Sequence, residues 1–217
     1  MTRATTIREK NTPPETPPRG RGRPVGDHDA RRATLLAAAI SVIAQDGYAA
    51  ASMRKVADQA GCTTGALTYY FANKEEMVQA VIKNLFDEID SWIHPDRDPS
   101  EIKPLLHWYL DWTSAQGSNR WLVLVQLLVH ARHEPALAAI IHRRNERVMT
   151  SIASVLSKGQ AQGLVRGDIP ADILADQLSA MSDGWALMLP VEPERFTPRR
   201  IQALIDAAVA MVSPAGA

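Results

Sequence analysis

The chain has 217 residues, with 24 Lys and Arg against 24 Asp and Glu, so its formal net charge is zero. This length can hold one or two domains with a substantial core. No apolar run approaches the ~20 residues of a membrane span, the N-terminus lacks the hydrophobic stretch of a signal peptide, and one cysteine excludes an internal disulfide. We therefore expect a cytoplasmic protein without membrane association. Abundant Ala, Leu, Ile and Val without alternating runs predict an all-α fold.

The first segment, residues 1–26, is predicted to be a disordered arm, because prolines, Thr, Glu and Arg leave it almost nothing to bury. It contains the run RGRGRP, whose arginines are Arg19, Arg21 and Arg23. The run resembles the core of an AT-hook, in which guanidinium groups enter a narrow A·T-rich minor groove. The alternative is a solvated basic tail that touches phosphates without sequence preference.

Charge is unevenly distributed along the chain. Residues 1–74 carry 11 Lys and Arg against 6 Asp and Glu, whereas residues 75–217 carry 13 against 18. A basic first third joined to an acidic remainder indicates that only the first part meets a polyanion.

A first helix is predicted at about 27–46, with Asp27 as its N-cap. The following stretch, residues 52–74, reads as two short helices joined by a tight turn at Gly61. Thr63 is expected to cap the second of these helices. In that helix Leu67 and Phe71 share one face by their spacing, and a polar face is left outward. This pattern predicts a helix-turn-helix.

Residues 60–71, AGCTTGALTYYF, followed by Asn73 and Lys74, resemble the signature of TetR-family transcriptional regulators. The chain departs from the usual pattern at Thr64 and Thr68, where a lysine and a tyrosine are frequent. The resemblance implies a three-helix DNA-binding domain, here residues 27–80, that acts as a dimer on a palindromic operator in double-stranded DNA.

The helix-turn-helix geometry assigns the DNA contacts to two groups. The residues expected at base edges are Arg54, Thr64, Gly65 and Thr68, and those expected at phosphates are Ser52, Thr63, Tyr69 and Lys74. Arg54 is the best candidate for guanine, because its guanidinium can bond O6 and N7 together. Lys74 follows the N-cap Asn73, so its helix presents a positive end and an ammonium group together.

Residues 81–217 are predicted to form a helical effector-binding and dimerisation domain, which brings the total to about nine helices. Prolines break the chain between Ile93 and Leu105. The expected helices lie at about 74–93, 99–115, 119–130, 135–162, 171–189 and 197–212. The last two, Ala171–Leu189 and Thr197–Val212, have apolar stripes that suit a four-helix dimer interface. In the first of them the stripe consists of Leu174, Leu178, Met181 and Trp185. The alternative is that both stripes face their own subunit.

The region from Leu127 onward also resembles the C-terminal half of BetI-type regulators, which implies a small effector bound among these helices. The residues proposed to line its pocket are Trp108, Trp112, Trp121, Met181 and Trp185. The faces of the tryptophan rings would suit a cation. Their alternative role is core packing.

No other chemistry is indicated by the sequence. His130 and His133 are spaced for one helical face, but no third ligand accompanies them, so no metal is expected. No phosphate-binding loop, nucleophile elbow or cofactor motif is present, and we expect no enzyme activity.

Two functions remain after these exclusions. The first is a dimeric repressor released from its operator when an effector tilts the helix at 74–93. The second is a DNA-bound dimer whose C-terminal domain docks a partner protein and has no small-molecule effector. A cavity on the order of several hundred Å³ inside the C-terminal domain would favour the first, whereas a solid core with an exposed apolar patch would favour the second.

Overall fold

The computed structural model describes residues 25–114 and 120–214, and every regular element in these ranges is helical. The helices are α1 Val25–Asp46, α2 Met53–Gln59, α3 Thr64–Thr68, α4 Lys74–Trp92, α5 Ile102–Ser114, α6 Arg120–Ala131, α7 Pro135–Ala161, α8 Ala171–Met188 and α9 Pro198–Val212, with a 3-10 turn at Pro99–Glu101 before α5. The all-α prediction is confirmed. None of the described helices is long and apolar enough to cross a membrane.

The predicted arm falls largely outside the described residues. Arg19, Arg21 and Arg23 lie in this part of the chain, so their placement in a minor groove stays a prediction. The first helix begins at Val25, two residues before the predicted N-cap Asp27. Asp27 therefore belongs to the first turn of α1.

The helix-turn-helix is held in shape by its caps. Ser52 Oγ accepts from the Lys55 N–H at 3.3 Å and Thr63 Oγ1 from the Ala66 N–H at 3.1 Å. Asn73 Oδ1 accepts from the Glu76 N–H at 2.8 Å, which starts α4. Gly61 has φ +62°, a conformation that L side chains rarely adopt. These contacts confirm the caps predicted at Thr63 and Asn73.

A continuous apolar core joins the helix-turn-helix to the C-terminal helices. Buried residues of α1 to α3, including Leu35, Val56 and Leu67, belong to the same cluster as Val81 on α4 and Ile141 on α7. A second cluster fills the space between α5, α7, α8 and α9. The DNA-binding and C-terminal regions thus share packed side chains.

A close contact inside the second half of the chain depends on Gly159 of α7. A Cβ placed there would lie 2.5 Å from Val165 Cγ2 and 3.1 Å from Pro99 Cβ. Gly159 is buried, so these neighbours have little room to move. The absence of a side chain lets the loop after α7 and the 3-10 turn before α5 pack directly on this helix.

We predict that Gly159→Ala destabilises the protein by about 1–3 kcal/mol, because the added methyl group overpacks this contact. Thermal and urea unfolding measure the change. Gly167→Ala is the matched control, since a Cβ at Gly167 meets nothing within 4 Å. Equal stability of the two variants would contradict this interpretation.

Candidate DNA-binding surface and ligand cavity

The polar face of the helix-turn-helix is exposed to solvent. Arg54 on α2 and Thr64, Gly65 and Thr68 on α3 are all exposed. Leu67, fully buried, holds the opposite side of α3 against the core. The structure therefore leaves all four residues predicted to meet base edges accessible to solvent.

The residues predicted to meet phosphates have more varied surroundings. Tyr69 is 76% exposed, while the hydroxyls of Ser52 and Thr63 already accept from backbone N–H groups. The Lys74 ammonium donates to the carbonyl oxygens of Tyr48 at 2.7 Å and Ala49 at 3.3 Å. Two of its three N–H donors thus tie the start of α4 to the loop before α2.

One neighbour of this surface was not predicted from the sequence. The His28 ring lies with its centroid 4.7 Å from that of Tyr70 and 6.1 Å from that of Tyr69. This contact joins the first turn of α1 to the end of α3. Sequence spacing gave no signal for it, because the partners are about forty residues apart.

A cavity of about 130 Å³ lies within the C-terminal helices. Its wall is mainly apolar and comes from α4 to α8, with His94, Leu128 and Asn145 as exposed lining residues that mark its opening. Its lining residues include Phe86, Ile89, Tyr109, Trp121, Leu124 and Asp183.

The polar part of the cavity wall centres on Asp183 of α8. The Tyr109 hydroxyl donates to Asp183 Oδ1 across the space between α5 and α8, and Ser179 Oγ lies 3.4 Å from Asp183 Oδ2. Burial raises the pKa of Asp183, and the hydrogen bonds from Tyr109 and Ser179 oppose that rise. Burial, followed by the charge of Asp183, also raises the pKa of Tyr109 well above its usual range.

Of the five residues proposed for the effector pocket, Trp121 lines this cavity. Trp112 lies against α4, where its indole N–H donates to Glu88 Oε2 at 2.9 Å. Trp108 stacks on Trp92 with ring centroids 5.0 Å apart. Met181 and Trp185 pack against the second apolar cluster. Sequence reasoning missed Tyr109 and Asp183, which supply the polar groups of the cavity.

A junction at Tyr48 connects the DNA-binding region to α6. The buried Tyr48 hydroxyl donates to Glu134 Oε2 at 2.8 Å, and its backbone N–H donates to Gln126 Oε1 at 3.2 Å. Its ring packs on His130 with centroids 4.7 Å apart. Burial and the Glu134 carboxylate raise the pKa of Tyr48 to about 12, so the hydroxyl stays protonated and continues to donate near neutral pH.

The helix-turn-helix and the helical C-terminal domain define a bacterial transcriptional regulator. The family model "Bacterial regulatory proteins, tetR family" matches residues 35–81, and the model "BetI-type transcriptional repressor, C-terminal" matches residues 101–214, which is more than half the chain. The chain belongs to the TetR family, with a C-terminal region of the BetI type. It is a DNA-binding regulator, and members of this family are generally not enzymes.

Similar proteins agree with this assignment. The regulator PksA of Bacillus subtilis is 26% identical over 82% of this chain and 88% of its own length. The nicotine-responsive repressor HdnoR of Paenarthrobacter nicotinovorans is 28% identical over 75% and 85%. A crystal structure of a transcriptional regulator from Rhodococcus sp. has a TM-score of 0.68 at 26% identity, covering 83% of this chain and 95% of that one.

We predict that Arg54→Ala weakens binding to the preferred DNA site by about 1–3 kcal/mol and relaxes the preference at one base pair in each half-site. Site selection from a random library identifies the preferred sequence, and competition binding gives the loss.

Lys55→Ala is the matched control, because the Lys55 ammonium is paired with Asp46 at 2.6 Å. It should change sequence preference little, whereas Lys74→Ala should weaken all sequences alike. A change of preference in Lys74→Ala, but not in Arg54→Ala, would mean that these roles are wrongly assigned.

Proposed function

We propose that this protein is a homodimeric transcriptional repressor that a small molecule, bound in the cavity of the C-terminal domain, releases from a palindromic operator. The observation that carries the proposal is the position of the cavity. Its wall includes α4 and α6, and both helices also contact Tyr48, in the loop between α1 and α2 of the DNA-binding domain. A ligand in the cavity therefore touches the two elements that hold the DNA-reading surface in place.

Dimerisation is supported by unpartnered apolar faces on the last two helices. On α8 the exposed residues Ile173, Ala180, Gly184 and Leu187 follow helical spacing along one side. On α9 the exposed side carries three alanines, Ala203, Ala207 and Ala210. Small residues allow helices of two subunits to approach closely, as a four-helix interface requires.

The interface proposed here uses a different side of α8 from the stripe noted in the sequence. Leu174 and Leu178 are buried in the core of their own subunit, so they are not available to a partner. The exposed side with Ile173 and Leu187 takes that role. Fixing the two subunits in this way would set the separation of the two recognition helices.

We predict that Ala207→Glu dissociates the dimer, because it places a charge in the centre of the proposed interface. Analytical ultracentrifugation at micromolar concentration measures the assembly state, and operator affinity should fall with it. Ala139→Glu on α7 makes the same change at an exposed alanine outside the proposed interface. The interface is wrongly placed if Ala207→Glu remains as dimeric as Ala139→Glu.

The effector role is supported by the character of the cavity and by the relatives. The cavity is largely apolar with a few convergent polar groups, which is typical of ligand sites. The relative HdnoR is named for its response to nicotine, and a protein of similar fold from Saccharomonospora viridis was crystallised with choline. At about 130 Å³ the cavity is smaller than the size expected from the sequence, so it fits a small ligand, and a larger one has to move its walls.

The helices α4 and α6 supply two routes from the cavity to the DNA. Phe86 and Ile89 of α4 line the cavity, while Lys74 at the start of α4 holds the loop before α2. Trp121 of α6 lines the cavity, and the same helix contacts Tyr48 through Gln126. A shift of either helix would reorient the helix-turn-helix.

We predict that Tyr48→Phe reduces the effect of an effector on operator affinity, because it removes the hydrogen bond to Glu134. Coupling of 1–3 kcal/mol is typical and releases DNA about 5- to 150-fold. Loss of one such bond should reduce that factor roughly 2- to 10-fold. The measurement is fluorescence anisotropy of labelled operator, with and without a hit from a thermal-shift screen.

Glu134→Gln is the matched control, since its amide oxygen can still accept from Tyr48 and should preserve release. The effector itself should bind both variants as it binds the wild type. Unchanged release in Tyr48→Phe would exclude this junction from the coupling. A hit that binds the wild type without changing operator affinity would contradict the effector role itself.

The partner-docking function has one observation in its favour. Leu122, Leu128 and Val129 on α6 are large apolar residues with 46–63% exposure. If purified protein takes up no small molecule but Val129→Ser abolishes regulation without loss of operator binding, this second function replaces the first.

A further inference from the structure

We propose that the effector is a protonated amine with a compact apolar body, and that its ammonium group binds the carboxylate of Asp183. This inference rests on the proposed ligand cavity and identifies the chemical class that the cavity selects. It assigns Asp183 as the residue that determines the charge of the ligand.

The groups around the Asp183 carboxylate leave its negative charge uncompensated. The described side chains that act on its carboxyl group are the hydroxyls of Tyr109 and Ser179, both of which are neutral. Burying an ionised carboxylate away from water is costly unless a positive charge or several hydrogen bonds compensate it. A cationic ligand in the cavity supplies that positive charge, because Asp183 is part of the cavity wall.

The two oxygens of the Asp183 carboxylate differ in their hydrogen bonds. Tyr109 donates to Oδ1, whereas the one partner of Oδ2 among the described residues is Ser179, at the long distance of 3.4 Å. Oδ2 therefore retains capacity to accept a strong hydrogen bond. Tyr109 acts as a positioning residue, since its bond across α5 and α8 holds the carboxylate at the cavity wall.

The Asp183 carboxylate also selects the type of cation. Recognition of a quaternary ammonium relies on several aromatic faces around the charge. Three aromatic residues line the cavity, Phe86, Tyr109 and Trp121, so aromatic faces alone do not distinguish a quaternary ammonium from one that carries N–H groups. An acceptor with free lone pairs instead favours a primary or secondary ammonium that can donate N–H bonds.

The positive side chains at the cavity do not favour an anionic ligand. Arg97 lines the cavity, but its Nε donates to the Trp92 carbonyl at 2.7 Å and its guanidinium is paired with Glu101. These contacts satisfy its charge. His94 belongs to the exposed opening, so the interior offers a negative group with no free positive one to oppose it.

The remaining wall sets the body of the ligand. Ile89, Leu124, Val148 and Ile152 are apolar and come from α4, α6 and α7. They favour a hydrocarbon body of limited length, because the cavity volume is about 130 Å³. A short alkyl chain or a small ring meets this condition.

The test uses four probes with the same hexyl chain: hexylammonium, hexyltrimethylammonium, hexanol and hexanoate. Titration calorimetry on the full-length dimer should give the tightest binding for hexylammonium. Hexylamine is protonated near pH 7, because its amine resembles that of lysine. The other probes keep the apolar body and change only the head group.

The deciding variant is Asp183→Asn, which keeps an oxygen acceptor for Tyr109 and removes the charge. It should weaken hexylammonium about 10- to 100-fold and leave hexanol nearly unchanged. Asp176→Asn is the matched control, because it makes the same change at an exposed position of α8, two helical turns before Asp183. This variant should bind every probe as the wild type does. Circular dichroism confirms that each variant is folded.

The inference is overturned if hexanol, hexanoate or hexyltrimethylammonium binds as tightly as hexylammonium. It is also overturned if Asp183→Asn binds hexylammonium as the wild type does, or if no probe binds at millimolar concentration. Operator affinity is measured separately. Charge-selective binding without DNA release would sustain the role of Asp183 and contradict only the effector role in the proposed function.

Discussion

The apolar face of α4 is the constraint on which the rest of the structure depends. Met77 and Val81 near its start pack in the same cluster as the recognition helix, and Phe86 and Ile89 near its end form part of the ligand cavity. Protein interiors are close-packed and have few voids that could absorb a displacement. A shift of α4 at the cavity therefore has to be accommodated at the DNA-binding end.

Polar contacts fix the position of α4 against its neighbours. Arg144 of α7 lies 3.2 Å from both Asp87 and Asp90, and Glu88 accepts from the indole of Trp112 on α5. Partly buried ion pairs with defined geometry favour one register over others. These contacts hold the helix in the arrangement that a ligand would have to change under the proposed function, since a ligand acts by preferring one of two states.

Tyr48 is the place where two connections to the cavity meet. Its carbonyl accepts from Lys74 at the start of α4. Its backbone N–H donates to Gln126 of α6, and its hydroxyl donates to Glu134, the N-cap of α7. The sequence predicted α4 alone as the element that transmits binding. The structure adds α6, which lies between the cavity wall at Trp121 and the ring of Tyr48.

Local features of the fold could be predicted from the sequence because their causes are local. The caps at Thr63 and Asn73 depend on residues three positions away, and helical spacing identified the buried side of α3 at Leu67. The pairing of Tyr109 with Asp183 joins residues 74 positions apart. No periodic pattern reports such a contact, so the polar centre of the cavity was missed.

The tryptophans show the same limit in another form. The sequence left two roles open for Trp108 and Trp112, the effector pocket and core packing, and the structure places both against α4. Likewise, the stripe containing Leu174 and Leu178 was recognised, yet periodicity could not tell whether it met a partner or its own subunit. Both questions depend on how helices pack, which sequence spacing leaves open.

The small volume of the cavity bears directly on how a ligand could act at a distance. A ligand changes an equilibrium only by the difference in its affinity for the two states. A cavity that binds a ligand equally well in both states transmits nothing. This cavity has about 130 Å³ and walls contributed by α4 and α6, so a ligand of greater volume would displace helices that also contact the DNA-binding domain. In the proposed function, that displacement would couple binding to movement of the DNA-reading surface.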